Sequence, residues 1–498
     1  MLLSSALPKM CLGNDFREPL IGDTPPEAKK SQACRLALRG LKLFVALLVV
    51  VPLLFLCIVW LDSGDGASSD AFRDDKGLMD VRVTKGFGTR GYDKVRISVI
   101  SLSSQPPAAG IFEYSARFMY KWSQLHLHSS VMTAVPGEES HFDVGTDLTV
   151  RLPRRGAGVA GVLIADPCVK SPTGRGWIPC ALGDKFQTLE RTPALINAFV
   201  GDRDTDYWGL LGDNFYDRTG EITVDVFRRI SLEAKSKLFV TVAGNHDYWV
   251  YGAPALSSVA DQCGYGHMQY YAQDTKASIS ASTGASPVPF DFSVDPDKDR
   301  WFGHGCNLPA FNNSFWYHQI GNVALVGQSG AYSLEETRPF MEEACEWLSE
   351  QPDLELAVLL GHWDVPGMGA SDEMAMPTWY SEMAAESGCA KLQRRGILKF
   401  VVGHTHCNGP LPHTNGDGFR VAGFGMEGCG DYGVPILDTT SGRARIWYFN
   451  TATDELYNAV LSCVKLKGWR ECTSLATLWM DQPIGTGDLH LKSSVRLL

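Results

Sequence analysis

Five short apolar runs each stop at Gly or Ala and are followed at once by a residue type that binds metal. VAGVLIA ends at Ala165 before Asp166. YWGLLG ends at Gly212 before Asp213, with Tyr216 three residues on. LFVTVAG ends at Gly244 before Asn245 and His246, LAVLLG at Gly361 before His362, and KFVVG at Gly403 before His404 and His406. Apolar runs this short, without polar alternation, are those of strands covered on both faces. Amphipathic stretches lie between them, among them EETRPFMEEACEWLSE (335–350) and YSEMAAESGCAKLQRRG (380–396). This alternation predicts an α/β fold. Open α/β sheets bind ligands beyond the carboxyl ends of their strands, so five such ends can converge on one place.

Taken singly, each motif is ordinary: GD after a strand is a common turn, and GNHD reads equally well as a turn or helix cap. Their joint occurrence in this order carries the argument. Oxygen and nitrogen donors of these kinds suit hard and borderline divalent or trivalent ions. Two ions a few ångströms apart need a bridging carboxylate, which one Asp supplies. Asp184, in ALGDKF, competes with Asp166 for the first position but lacks a clear strand before it. Asp202, Asp204 and Asp206 precede Asp213 by only seven to eleven residues. That is too short for a crossover between parallel strands. Asp364, two residues after His362, reads either as a neighbour of the site or as a solvated loop acid. His126 and His128 share one face of a strand, as a metal pair or, more in keeping with a polar strand, as a solvated face.

The series GDNFYD (212–217), GNHD (244–247), GHW (361–363) and GHTH (403–406) resembles the calcineurin-like metallophosphoesterase superfamily, and GDNFY resembles its purple acid phosphatase branch. The resemblance implies a four-layer α/β/β/α sandwich over about 158–450. It also implies two metal ions, Fe(III) plus Fe, Zn or Mn. Asp213 would bridge them; Asp166, Tyr216 and His406 would complete the first ion, and Asn245, His362 and His404 the second. His246 would be the catalytic residue, protonating the leaving oxygen. The reaction implied is hydrolysis of a phosphomonoester, on a small molecule or a phosphoprotein, by attack of metal-bound hydroxide. A phosphodiesterase acting on nucleotides or lipid head groups, and a non-catalytic surface binding protein, are the alternatives. Asp166-Pro167-Cys168 departs from the Asp-x-His of many members and from the Asp-x-Gly of the purple branch. Cys168 is left open as a thiolate ligand, a disulfide partner or a small loop residue.

Before this domain, Leu43 to Leu61 form 19 apolar residues without a charge. At about 1.5 Å per residue a helix there spans roughly 28 Å, close to the hydrocarbon core of a bilayer. Lys29, Lys30, Arg35, Arg39 and Lys42 precede it, and Asp62, Asp65, Asp70, Asp74 and Asp75 follow. The basic flank is expected in the cytoplasm. The organisation expected is a cytoplasmic tail (1–42), a signal-anchor transmembrane helix (43–61), a stalk (62–76), a β-rich extension (77–157), the main domain (158–450) and a C-terminal appendix (451–498). The main domain would then be lumenal or extracellular, in a single-pass type II arrangement.

Cysteine usage agrees with an oxidising compartment. Of 13 Cys, Cys11, Cys34 and Cys57 lie at or before the apolar run, leaving ten beyond it. Cys463 with Cys472, Cys407 with Cys429 and Cys168 with Cys180 are plausible disulfide pairs. Asn312-Asn313-Ser314 is a glycosylation sequon. With 45 Lys+Arg against 56 Asp+Glu, the net charge of −11 excludes nucleic-acid binding driven by bulk positive charge. The oligomeric state is not legible.

Overall fold

The computed structural model describes residues 78–117, 125–169, 186–217, 221–247, 267, 270–281, 311–366, 374–421 and 432–484. The expected tail, membrane helix and stalk lie outside the described residues, as do Asp184 and most of 262–315. Among the described residues no helix is long and apolar enough to cross a membrane.

The strands in chain order are β1 (Leu78–Lys85), β2 (Lys94–Ser101), β3 (Tyr114–Arg117), β4 (His126–Thr133), β5 (Glu139–Asp143), β6 (Asp147–Arg151), β7 (Ala160–Ile164), β8 (Tyr207–Leu211), β9 (Leu238–Val242), β10 (Trp316–Ile320), β11 (Val323–Gly327), β12 (Leu356–Leu360), β13 (Leu398–Val402), β14 (Gly409–Pro410), β15 (Gly418–Arg420), β16 (Gly433–Asp438), β17 (Arg443–Asn450) and β18 (Thr477–Pro483). One sheet has the order β18-β17-β16-β7-β8-β9-β1-β2-β4-β3, a second the order β10-β11-β12-β13-β15-β14, and β5 and β6 form a separate hairpin. The centre of each sheet is parallel: β7, β8 and β9 in the first, and β11, β12, β13 and β15 in the second. Every residue of β7, β8, β9, β12 and β13 is buried. This explains why the runs show no polar alternation.

The two faces of the first sheet can be told apart by parity. Leu163, Leu211, Val240 and Val242 join a core shared with Leu325, Leu359 and Val401 of the second sheet. Val162, Ile164, Trp208, Leu210 and Phe239 point the other way. There they meet α1 (Thr188–Phe199), α2 (Glu221–Arg229) and, through Val460 and Val464, a C-terminal helix. On the far side of the second sheet lie α3 (Leu334–Glu350), α4 (Met376–Ala385) and α5 (Ser387–Arg394), carrying Phe340, Met341, Ala344, Trp379, Met383 and Leu392 into the core. Two sheets therefore face each other with helices outside both. The C-terminal helix is α6 (Asp454–Lys467).

Stretch 380–396 is divided between α4 and α5. Glu386 is extended (φ −62°, ψ 139°) at the break. The cause is close packing: a Cβ on Gly388 would overlap the Cys345 carbonyl of α3, and Cys389 forms a disulfide with Cys345. Cys463 and Cys472 are also bonded, as their spacing suggests, and Cys168 and Cys407 are each disulfide-bonded. A bonded sulfur is no thiolate, so Cys168 is not a metal ligand. His128 is not on a solvated face. It is fully buried, with Nδ1 2.7 Å from Ser115 Oγ and Nε2 3.1 Å from Ser101 Oγ and 3.0 Å from the Ser103 carbonyl. With both nitrogens so engaged, His128 does not form a metal pair with His126.

Candidate metal centre

The carboxyl ends of β7, β8, β9, β12 and β13 meet, and the residues just past them touch. Asp166, Asp213, Asn245 and His362 are buried to at least 98%. One ligand atom from each of Asp166, Asp213 and His362 lies within 4.8 Å of the others. Two contact groups are visible. Tyr216 Oη donates to Asp166 Oδ1 (3.2 Å) and lies 2.9 Å from His406 Nε2, itself 3.5 Å from Asp166 Oδ1. His362 Nε2 lies 3.2 Å from Asn245 Oδ1, 3.2 Å from His404 Nδ1 and 3.3 Å from Asp213 Oδ2. The backbone N–H of His246 donates to Asp213 Oδ1 at 2.8 Å. The His246 ring is partly exposed, 5.0 Å centre to centre from the ring of Tyr216.

The backbone beneath these side chains is strained. Of the ten non-glycine residues with positive φ among the described residues, six are Asp166, Asp213, Phe215, Tyr216, His404 and His406. Each such conformation costs about 1–3 kcal/mol and persists only where the surroundings over-determine it. The glycines before the ligands make room for close approach. A Cβ on Gly403 would sit 2.6 Å from Asp166 Oδ2, and one on Gly212 (φ +90°) 2.5 Å from His362 Nδ1.

The electrostatics call for positive charge. Burial disfavours a proton on His362, but the Asp213 and Asp166 carboxylates outweigh it and lift its pKa to about 10. Burial would raise Asp213, yet His362 and His246 hold it well below the usual carboxylate range. Burial, and then Asp166 and Asp213, push the Tyr216 phenol far up. Desolvation, reinforced by neighbouring His362, takes His404 down to about 4. Two buried carboxylates call for compensating positive charge, which protonated His362 supplies without metal and a bound ion would supply in its place. His362 Nδ1–H donates to the Leu211 carbonyl (2.9 Å), which leaves Nε2 turned toward the cluster. The donor set fits metal.

Two acids work here that strand-end reasoning did not assign. Asp247, last residue of GNHD, is buried and accepts N–H bonds from Asp213 (2.8 Å), Asn214 (2.8 Å) and Gly244 (2.7 Å). It joins the loop after β8 to the loop after β9. Its signal was present in the acid that closes GNHD. Asp364 is not a solvated loop acid but a neighbour of the site, the other of its two sequence readings. It is buried, accepts from Thr405 Oγ1 (2.8 Å) and pairs with Arg420 Nε (2.8 Å).

No curated protein matches the sequence. Among solved structures, the chain is similar to a purple acid phosphatase, PPD1, from yellow lupin (Lupinus luteus) seeds, at 14% identity over 75% of this chain and 72% of that one, with a TM-score of 0.45. It is similar to PhoD at 10% identity over 77% and 89%, with a TM-score of 0.45. A dimetal phosphatase from Danio rerio is matched at 11% identity over 59% and 96%, with a TM-score of 0.33. Residues 164–408 match the family model for calcineurin-like phosphoesterase. With a buried Asp166–Asp213–His362 group at the strand ends inside that span, the chain carries a calcineurin-like metallophosphoesterase domain and is a metal-dependent phosphoesterase.

Proposed function

We propose that the protein is a dinuclear-metal phosphatase of the purple acid type that hydrolyses phosphomonoesters. The observation that carries this reading is the grouping of the donors into two sets of contacts, with Asp213 Oδ2 3.3 Å from His362 in the second. Tyr216, Asp166 and His406 lie within 3.5 Å of one another, and His362 lies 3.2 Å from both Asn245 and His404, with Asp166 Oδ1 farther off at 3.9 Å from His362 Nε2. The first group would hold one ion, Fe(III) in this reading, and the second Fe, Zn or Mn, with Asp213 between them. Two cations bound there would offset the charge on the phosphate oxygens and make a water acidic enough to ionise near neutral pH.

The remaining work belongs to the chain's own groups. Asn245 adds an oxygen donor without adding negative charge. Without metal, burial and the flanking Asp166 and Asp213 make the Tyr216 phenol hold its proton strongly, and the charge of a bound ferric ion would be what displaces it. His246 has its backbone fixed to Asp213 and its ring partly open to solvent. It would hold a proton over the ester's leaving oxygen and donate it as the bond breaks. The substrate would be a phosphorylated small molecule or phosphoprotein. The disulfides and the charge asymmetry around 43–61 support a type II anchor with the domain lumenal or extracellular.

The test is purification of the full chain in detergent, measurement of its metal content and visible spectrum, and turnover of aryl phosphate against bis-aryl phosphate. About two ions per chain, a tyrosinate-to-iron colour that Tyr216→Phe bleaches, and faster monoester cleavage are expected. A colourless, fully active Zn or Mn protein removes it from the purple branch. Cleavage of the diester alone makes it a phosphodiesterase, and absence of both metal and hydrolysis makes it a binding protein.

A further inference from the structure

The turn His404-Thr405-His406 carries two of the proposed ligands on two left-handed residues, with φ of +77° and +56°. Non-glycine side chains disfavour that backbone, so the turn needs more than its own bond from the Thr405 N–H to the Gly403 carbonyl (3.1 Å). One tether comes from the opposite sheet: the His404 N–H donates to Asp166 Oδ2 at 2.9 Å. That tether uses an oxygen of a proposed ligand. The other comes from a group with no place in either donor set. Thr405, between the two histidines, gives its hydroxyl to Asp364 Oδ2 at 2.8 Å, and the same oxygen lies 2.8 Å from Arg420 Nε.

We infer that Asp364 is a positioning residue for the metal centre, a latch that fixes the His404–His406 turn through Thr405 and is itself held in charge balance by Arg420. The topology favours this role. Asp364 follows His362 on the loop after β12, Thr405 lies on the loop after β13, and Arg420 ends β15, which pairs in parallel with β13 at Val402. Three neighbouring strand ends of the second sheet are thus tied through one carboxylate. The Asp364 side chain is fully out of solvent, its partner Arg420 is 24% exposed, and the other carboxylate oxygen, Oδ1, is buried without a side-chain hydrogen-bond partner among the described residues. A buried carboxylate is costly unless its contacts hold it in place. The Thr405 and Arg420 contacts do so, and the turn gains a fixed anchor. Partners of this kind, one step behind the ligands, commonly alter metal affinity or activity 10–100-fold on removal.

The inference rests on the reading of His404 and His406 as ligands. The test therefore has one arm that needs metal and one that does not. In the first, metal-stripped full-length protein is titrated with Zn²⁺, comparing wild type with Asp364→Ala, Thr405→Val and Thr405→Ser. Asp364→Ala and Thr405→Val are expected to weaken the weaker Zn²⁺ site about 10–100-fold, while Thr405→Ser, which keeps the hydroxyl, stays near wild type. In the second arm, amide hydrogen exchange across 403–406 is followed in the metal-free proteins. Faster exchange confined to this turn is expected in Asp364→Ala and Thr405→Val, with the amides of β12 and β13 unchanged. Zn²⁺ affinity and turn protection at wild-type level in both variants would overturn the latch. Exchange raised throughout the second sheet would also overturn it, by showing a general packing role. If wild type takes up no Zn²⁺ the proposed function fails, and the exchange arm still decides whether Asp364 holds the turn.

Discussion

The two sheets bring different chemistry to the site. The ends of β7, β8 and β9 supply Asp166, Asp213, Tyr216 and Asn245, all oxygen donors, whereas β12 and β13 supply His362, His404 and His406, all nitrogen donors. Their burial differs too. Asp166, Asp213, Tyr216 and Asn245 are at most 3% exposed, while His404, Thr405 and His406 are partly open to solvent. The oxygen side is stitched internally, by Asp247 binding three N–H groups from two loops. The turn on the nitrogen side is held by Asp364 and, across the gap, by Asp166. The first sheet thus forms a buried anionic floor and the turn after β13 a partly exposed wall. In the proposed reading a hard ion would be best served by the floor.

The largest expected effect tests the floor. Asp213→Ala removes the carboxylate proposed to bridge the two ions, which lies 3.3 Å from His362 and accepts the His246 N–H. Several kcal/mol of transition-state stabilisation should go with it, lowering kcat/KM by about 10³-fold or more. His404→Ala, on the wall, should leave one ion bound and the fold intact. Equal metal loss in the two variants, by elemental analysis, would break the floor-and-wall distinction.

Next in size is His246, which follows β9 on the floor but has its ring partly exposed. His246→Ala should keep its metal and lose about 10²–10⁴-fold in rate with poor leaving groups. Nitrophenyl esters should lose less, because their leaving oxygen needs no proton. A uniform loss across alkyl and aryl esters would move the proton donor elsewhere.

Much of this site was legible because its determinants are local. A strand covered on both faces writes itself as an apolar run, and the residue after it is delivered to the sheet's carboxyl edge. Asp166, Asp213, Asn245, His362 and His404 were found that way. Asp247 and Asp364 were not assigned, because their work is to bind loops 34 and 41 residues away. No local pattern encodes such a pairing. The same limit explains His128. The two-residue spacing correctly puts it on one face with His126, but what covers that face depends on β4 lying between β2 and β3. It explains the Cys345–Cys389 bond as well, which joins residues 44 apart only because α3 and α5 pack side by side. The break at Glu386 follows from that packing and not from helix propensity.

The disulfides extend the comparison to the helices outside each sheet. Cys345–Cys389 ties α3 to α5 over the second sheet with a separation of 44 residues, and Cys463–Cys472 ties α6 to the turn after it, over the first, with a separation of 9. The chain-entropy model gives about 4 kcal/mol for the longer loop and about 3 kcal/mol for the shorter. Replacing each pair by alanine should therefore shift the urea midpoint more for Cys345/Cys389. The reverse order would mean that the C-terminal helix is the weaker layer.

The smallest effect expected is on the pH dependence of the metal-stripped protein, and it separates the sheets by pH window. Asp247, on the first sheet, has its pKa raised by burial and then by Asp213. A raised acid contributes stability that is complete below its unfolded value of about 3.9 and is lost as the pH climbs from there through the folded value. His362, on the second sheet, is also raised, because the Asp213 and Asp166 carboxylates overcome its desolvation. Its contribution is complete below about 6.5 and disappears as the pH rises toward about 10. Asp213 acts in the opposite sense, its lowered pKa giving stability that is lost only as the pH falls below about 4. The melting temperature of the metal-free chain should thus decline in two stages as the pH is raised from 4 to 10. Asp247→Asn should flatten the lower stage and His362→Gln the upper, and bound metal should suppress the upper by taking over the charge balance of the carboxylates. A melting temperature that climbs between pH 7 and 10 in the metal-free protein would contradict a protonated His362 and, with it, the anionic floor.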